Sequence, residues 1–300
     1  MARNKSGLTI ACEYYTATAF FSLMKRIRRE WAEQLSGGLL RAILWFMPQR
    51  RRLMRQHIAA SFPELDPPGC ARVASRSLDN LAKGLVVLPR LPAWAARGRP
   101  NWVQMEGMEF AHQAYASGKG VVAFTAHYGC WEATAAFLPK AVGLAALVAR
   151  PLDNPRLNRS ITAIRASGGA HVIPRRRMLR EGLAVLRQKG FLGILIDQNY
   201  ADGVFVDFFG RPAATSTIVP LLARRTGSVI LGMYSRWFGS ILKIYLTPPV
   251  ELSTAPDKAV AVHEDTQRIT RIVEGWIRDD PGQWLWLHNR WKHQPLASPR

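Results

Sequence analysis

The stretch Val121-Val122-Ala123-Phe124-Thr125-Ala126-His127-Tyr128-Gly129-Cys130-Trp131-Glu132 decides how this chain is read. Its first half is a short apolar run of the kind that forms a buried strand. Its second half places a histidine and a carboxylate where that strand ends. The residues between them, with a glycine in the middle, suit a strand-to-turn-to-helix transition. The imidazole then projects from the strand tip and the Glu132 carboxylate from the first turn behind it. So placed, Glu132 orients the ring and stabilises its charged form, leaving the other nitrogen free to take a proton from a hydroxyl. A lone His beside a lone Glu also arises by chance. What favours chemistry here is the position, since open α/β sheets carry their ligand crevices at the carboxyl ends of their strands.

Outward from this stretch the same alternation continues. Short apolar runs at Val121 to Thr125, Leu144 to Ala149, Phe191 to Ile196, Val229 to Ser235 and Ile241 to Thr247 are separated by helical patterns. Those patterns cover Asn154 to Ala166, Met178 to Gln188 and Thr215 to Arg225, with a last long helix over Asp257 to Asp279. The fold class is therefore α/β, a mixed and largely parallel central sheet flanked by helices, the later strands being free to run antiparallel. Gly203 to Pro212 alternates as a strand or hairpin that either lines an apolar groove or packs in the core. Residues 1–95 lack β-branched alternation and read as helices broken near Pro48, Pro63 and Pro67-Pro68. This gives an N-terminal helical region over 1–95 and an α/β domain over 96–300.

Composition narrows the partners. The chain has 300 residues, is 48% hydrophobic and carries a formal charge of +20. It can bury a large core, and its partner is anionic: nucleic acid, an anionic membrane or an acidic protein. The basic residues are spread among apolar runs and form no nucleic-acid reading motif, so a nucleic acid partner is not expected. Cys12, Cys70 and Cys130 are odd in number and have no zinc-binding spacing. No metal site and no cofactor are expected, since the phosphate-cradling glycine motifs are missing as well. There is no Gly-x-Ser-x-Gly elbow either.

Leu8 to Met24 is apolar and aromatic, contains Glu13, and is followed by Lys25-Arg26 and Arg28-Arg29. A helix lying in or shallowly inserted into a membrane surface accounts for this, with a buried core helix as the alternative; whether it spans stays open. Leu39 to Arg55 repeats the theme, with Trp45-Phe46-Met47 ahead of Arg50-Arg51-Arg52 and Arg55.

The His127-x4-Glu132 segment resembles the motif of the lysophospholipid acyltransferase superfamily, most closely its lipid A late acyltransferase branch. The likeness continues through Ala149-Arg150-Pro151-Leu152-Asp153-Asn154-Pro155, Arg165, Val172-Ile173-Pro174-Arg175 and Ile196-Asp197-Gln198-Asn199. It extends through Gly203 to Pro212 and Gln283 to Lys292, although Ala126, Cys130 and Asp207 stand where the family commonly has Gly, Asn and Pro. The resemblance implies a glycerolipid acyltransferase-like fold and direct transfer of a fatty acyl chain to a hydroxyl of a lipid A precursor. It implies His127 and Glu132 as the general-base dyad, with an acyl carrier protein or acyl-CoA thioester as donor. Arg165 and Asp197 are implied near the active site, and Arg150 and Asn154 are candidates for phosphate contact. The implied location is the cytoplasmic face of the inner membrane, held peripherally or by a single N-terminal helix. Acylation of another bacterial glycolipid or lysophospholipid is the alternative within the same chemistry. A basic membrane- or nucleic-acid-binding protein without activity is the remaining one.

Overall fold

The computed structural model describes residues 5–295. The N-terminal region folds into α1 (Gly7–Arg26), α2 (Arg29–Trp45), α3 (Pro48–Ser61), α4 (Pro67–Val87) and α5 (Leu91–Arg97). Local chemistry sets several of the boundaries. Ser6 caps α1 by accepting from the Thr9 amide, and Asp66 caps α4 by accepting from Gly69, with prolines opening α3 and α4. The break between α1 and α2 at Ile27-Arg28 has no proline or glycine to announce it.

The α/β part follows as β1 (Val103–Glu106), α6 (Met108–Ala116), β2 (Val121–Thr125), α7 (Trp131–Phe137), α8 (Pro139–Val142) and β3 (Ala145–Ala149). Next come α9 (Pro155–Ala166), β4 (His171–Pro174), α10 (Met178–Arg187), β5 (Phe191–Leu195), β6 (Val204–Phe208) and β7 (Arg211–Thr215). The chain continues with α11 (Ile218–Thr226), β8 (Val229–Phe238), β9 (Ile241–Pro249) and α12 (Lys258–Asp279). Seven strands form one sheet in the order β1-β9-β8-β2-β5-β3-β4, parallel throughout except for the β8–β9 pair. This is the mixed, largely parallel sheet expected, and its antiparallel pair falls among the later strands. The apolar runs anticipated as strands become β2, β3, β5, β8 and β9. The edge strands β1 and β4, four residues each, were not anticipated.

Strand alternation sorts the side chains onto two faces. Val122, Phe124, Leu192 and Ile194 meet Leu183 and Leu186 of α10, Leu222 of α11 and Val273 of α12. On the other face Val121, Ala123, Phe191 and Leu231 meet Ala111 of α6, Leu138 at the junction of α7 and α8, and Val142 of α8. A sheet covered on both faces explains why its central strands read as continuous apolar runs.

The β6–β7 pair is a separate two-stranded hairpin. Its two-residue turn, Phe209-Gly210, has both φ angles positive. The hairpin's Phe208 and Phe209 pack on Trp284, Trp286 and Trp291, all of them buried. Met54 and Ile58 of α3 and Val73 and Leu78 of α4 share this core with Trp284 and Trp286. No described helix is long and apolar enough to cross a membrane.

Candidate active site

β2 ends at Thr125, and the chain turns through His127, Tyr128 and Gly129 into α7. Gly129 has φ +62, and a Cβ on it would fall 1.8 Å from the Ser235 carbonyl oxygen, so the turn admits no other residue. Three segments far apart in sequence hold this turn. The Gly129 amide donates to the Gln283 carbonyl and the Leu285 amide to the His127 carbonyl, an isolated antiparallel bridge between Tyr128 and Trp284. From α4, the buried Asn80 amide donates to the carbonyls of Gly129 (3.0 Å) and Gln283 (2.8 Å), and the Ser77 hydroxyl to that of Trp284. From β8, the Ser235 hydroxyl accepts from the Cys130 amide at 2.9 Å.

The imidazole so positioned is oriented by Asp197, not by Glu132. His127 Nδ1 donates to Asp197 Oδ1 at 2.8 Å, and the His127 amide donates to Oδ2 at 2.8 Å. The Trp284 indole N–H also donates to Oδ2, at 2.7 Å. Asp197 follows the β5 run, beside β2 in the sheet, so two neighbouring strand ends supply ring and carboxylate. Burial alone would raise the Asp197 carboxyl. The charge of His127 and the converging donors more than offset it and hold the carboxyl below its ordinary range.

Glu132 turns away because it lies one residue into α7, where the Trp131 ring takes the place beside the imidazole, edge to face at 5.0 Å. Its carboxylate meets the Arg165 guanidinium through Nε (2.8 Å) and Nη2 (2.5 Å). Burial would lower the Arg165 guanidinium, but the Glu132 contact more than offsets it and raises it. The other His127 nitrogen, Nε2, lies 3.3 Å from the Gln198 side-chain nitrogen. With Nδ1 carrying the proton, Nε2 is the basic one.

Both pairs open onto one cavity of about 590 Å³, in the range of ligand sites. Its rim carries His127, Glu132, Arg165 and Arg150, and its depth reaches Leu138, Ala145, Phe191 and Met233. Arg150 is exposed at the mouth, 3.8 Å from Asp153. Asn154 is not a substrate contact: it is buried, caps α9 by accepting from the amides of Arg156 and Leu157, and donates to Ile10 and Glu13 of α1. Nor does the β6–β7 hairpin line the cavity; its aromatics serve the core. His288 does line it, but its Nε2 accepts from the Asn199 backbone amide at 2.9 Å, a shorter and more fixed bond than the 3.3 Å side-chain contact that Gln198 makes to His127 Nε2. Burial pushes the Cys130 thiol up to about 12, so it is no nucleophile.

Sequence reasoning places Asp197 near the site without pairing it to His127, and gives Trp284 no hydrogen-bonding role there. The signal for Asn80 was a polar residue on the apolar face of an amphipathic helix.

A base fixed at the carboxyl end of a central strand, above an apolar cavity with room for a hydrocarbon chain, suits acyl transfer to a hydroxyl, and the protein is an acyltransferase. It belongs to the bacterial lipid A biosynthesis acyltransferases, whose family profile matches residues 5–293. The chain is 26% identical over 273 residues to a lipid A biosynthesis lauroyltransferase of Escherichia coli (strain K12), covering 89% of this chain and 87% of that one. It is 22% identical over 258 residues to the lipid A biosynthesis palmitoleoyltransferase of the same organism, covering 84% and 82%. Among solved structures, the 1-acyl-sn-glycerophosphate acyltransferase PlsC of Thermotoga maritima aligns over 76% of this chain and 97% of its own, at 15% identity and a TM-score of 0.36.

Proposed function

We propose that the protein moves a fatty acyl chain from the thioester of an acyl carrier protein or coenzyme A to a hydroxyl of a lipid A precursor. The observation that carries this reading is the His127 imidazole, its Nδ1 proton committed to Asp197 and its Nε2 at the rim of the apolar cavity. In the proposed step Nε2 takes the hydroxyl proton as the oxygen bonds to the thioester carbonyl carbon. The tetrahedral oxyanion then collapses, the carbon–sulfur bond breaks, and the imidazolium returns its proton to the departing thiolate. Asp197 keeps the ring in the required tautomer and stabilises its charge.

In this scheme Glu132 serves through Arg165. By taking Nε and Nη2 it directs the guanidinium at the cavity and leaves Nη1 for the oxyanion or a substrate phosphate. At the mouth, Arg150, Arg175 and Arg176 surround a second, open hollow, with the Arg175 guanidinium 4.5 Å from the Tyr200 ring centre. That cationic mouth suits the phosphate carried by either donor.

The same reading puts the protein on the cytoplasmic face of the inner membrane. Only Met24 of α1 is buried, so α1 is not a core helix. On α2, Trp31, Leu35, Leu39 and Ile43 recur every fourth residue and are all exposed. Trp45, Phe46 and Met47 extend this stripe to the corner with α3, where Arg50, Arg52 and Arg55 are exposed as well. A face of this kind lies in a headgroup layer.

The test is acyl transfer by the purified protein with acyl carrier protein and coenzyme A thioesters. His127→Ala is expected to abolish transfer while membrane binding and thermal stability persist; wild-type turnover in that variant refutes the mechanism.

A further inference from the structure

Gly193 is the middle residue of β5, a strand flanked on both sides by parallel neighbours: it pairs with Ala123 of β2 and Leu147 of β3. A glycine there weakens a strand, and such a position often marks where a ligand approaches closely. Neither usual structural reason for it applies. Gly193 is not among the residues of positive φ. An added Cβ would meet only the Met233 methyl at 3.4 Å and the Ala146 carbonyl oxygen at 3.8 Å, which are ordinary contacts. The backbone accepts a side chain here, and the space it would fill belongs to the cavity that runs down from His127.

The geometry also gives the depth. Ala123, beside Gly193, lies four residues before His127 on the same strand and turn, so Gly193 sits at most roughly 13 Å below the imidazole. An extended chain advances about 1.2 Å per bond, which brings roughly the tenth carbon of an acyl group to this level. Gly193, with no side chain, leaves the cavity wide there. The flexible Met233 side chain, reaching from β8 on the far side of β2, narrows the cavity at that level, above the depth lined by Phe191 and Ala145.

We propose that Gly193 and Met233 set the length of the acyl chain this protein accepts. Chains that end near the tenth carbon fit above the Met233 methyl, and longer ones require it to move. The proposal rests on the acyl-transfer reading for its substrate but is tested apart from it.

The full chain is titrated with saturated fatty acids from octanoate to palmitate, reading thermal stabilisation, and transfer is measured with the matching thioesters. Gly193→Val, whose branched side chain suits a strand, is expected to move the optimum to shorter chains, with the longest losing roughly tenfold for every two methylenes excluded. Met233→Ala is expected to move it the other way, which keeps the proposal open to refutation if the valine variant fails to fold. An unmodified protein with no length preference, or variants whose losses are equal at every length, overturns it. Shifted fatty-acid optima in a protein that transfers nothing uphold the length determinant and sink the acyl-transfer reading instead.

Discussion

Asp197 accepts from the His127 ring, the His127 amide and the Trp284 indole, and it is almost fully buried. Replacing it with asparagine keeps the shape but offers an N–H to groups that are themselves donors. The ring is then expected to take the other tautomer, with the proton on Nε2 where the base is needed. Asp197→Asn should lower kcat by about 10²- to 10⁴-fold and cost about 1–3 kcal/mol in thermal denaturation. Glu132→Gln should behave differently: it leaves the imidazole bonded to Asp197 and releases Arg165, so its pH profile should keep the wild-type shape while turnover falls. Identical pH profiles for the two variants would contradict the division of labour. The sequence displays the histidine and Glu132 side by side, whereas Asp197 lies 70 residues downstream. Nearness along the chain misleads here because the turn at Gly129 puts Trp131, not Glu132, against the ring. Strand adjacency, which no local pattern reveals, brings β5 and its terminal aspartate next to β2.

At the scale of elements, the exposed stripe of α2 makes its own prediction. Changing Trp31, Leu35, Leu39 and Ile43 together to serine should leave the melting temperature nearly unchanged, since none of them is buried. It should release the protein from anionic vesicles in a flotation assay, because burying side chains of this size in a headgroup layer contributes about 1.5–3 kcal/mol each. Retained flotation would place the binding face elsewhere. The sequence showed the basic-aromatic segment from Leu39 onward but not its beginning at Trp31, because the break at Ile27-Arg28 carries no proline or glycine. The central strands were legible from their apolar runs. The edge strands β1 and β4 were not, since each is only four residues long and His171 and Glu106 are exposed.

For the whole molecule, acid should loosen the packing between the N-terminal helices and the terminal aromatics. His57 of α3 is buried with its ring edge to face on Trp291, and burial together with the charges of Arg211 and His288 lowers it to about 4. A lowered histidine binds its proton more weakly in the folded chain than in the unfolded one. As pH falls from about 6.5 to about 4 the unfolded state takes up a proton that the folded state refuses, so stability declines across that window. The loss should be about 3 kcal/mol in all, and it should level off below pH 4 as far as this residue is concerned. Asp197, depressed rather than raised, contributes its own loss only below the ordinary carboxylate range. Urea denaturation as a function of pH checks this: His57→Gln should flatten the mildly acidic limb, and an unchanged limb would assign it to another group.

The bridge between Tyr128 and Trp284 also bears on how the protein comes into being. A ribosome delivers the His127 turn well before it delivers Gln283, Trp284 and Leu285, and Asp197 in the interval has only part of its hydrogen bonding. A nascent chain can therefore build its sheet and settle its helices on a lipid surface while the imbalance at the turn persists. Chemical competence therefore waits on a clasp closed by a segment made well after the histidine, so chains released short of Trp284 should lack transfer activity even where they still reach a lipid surface.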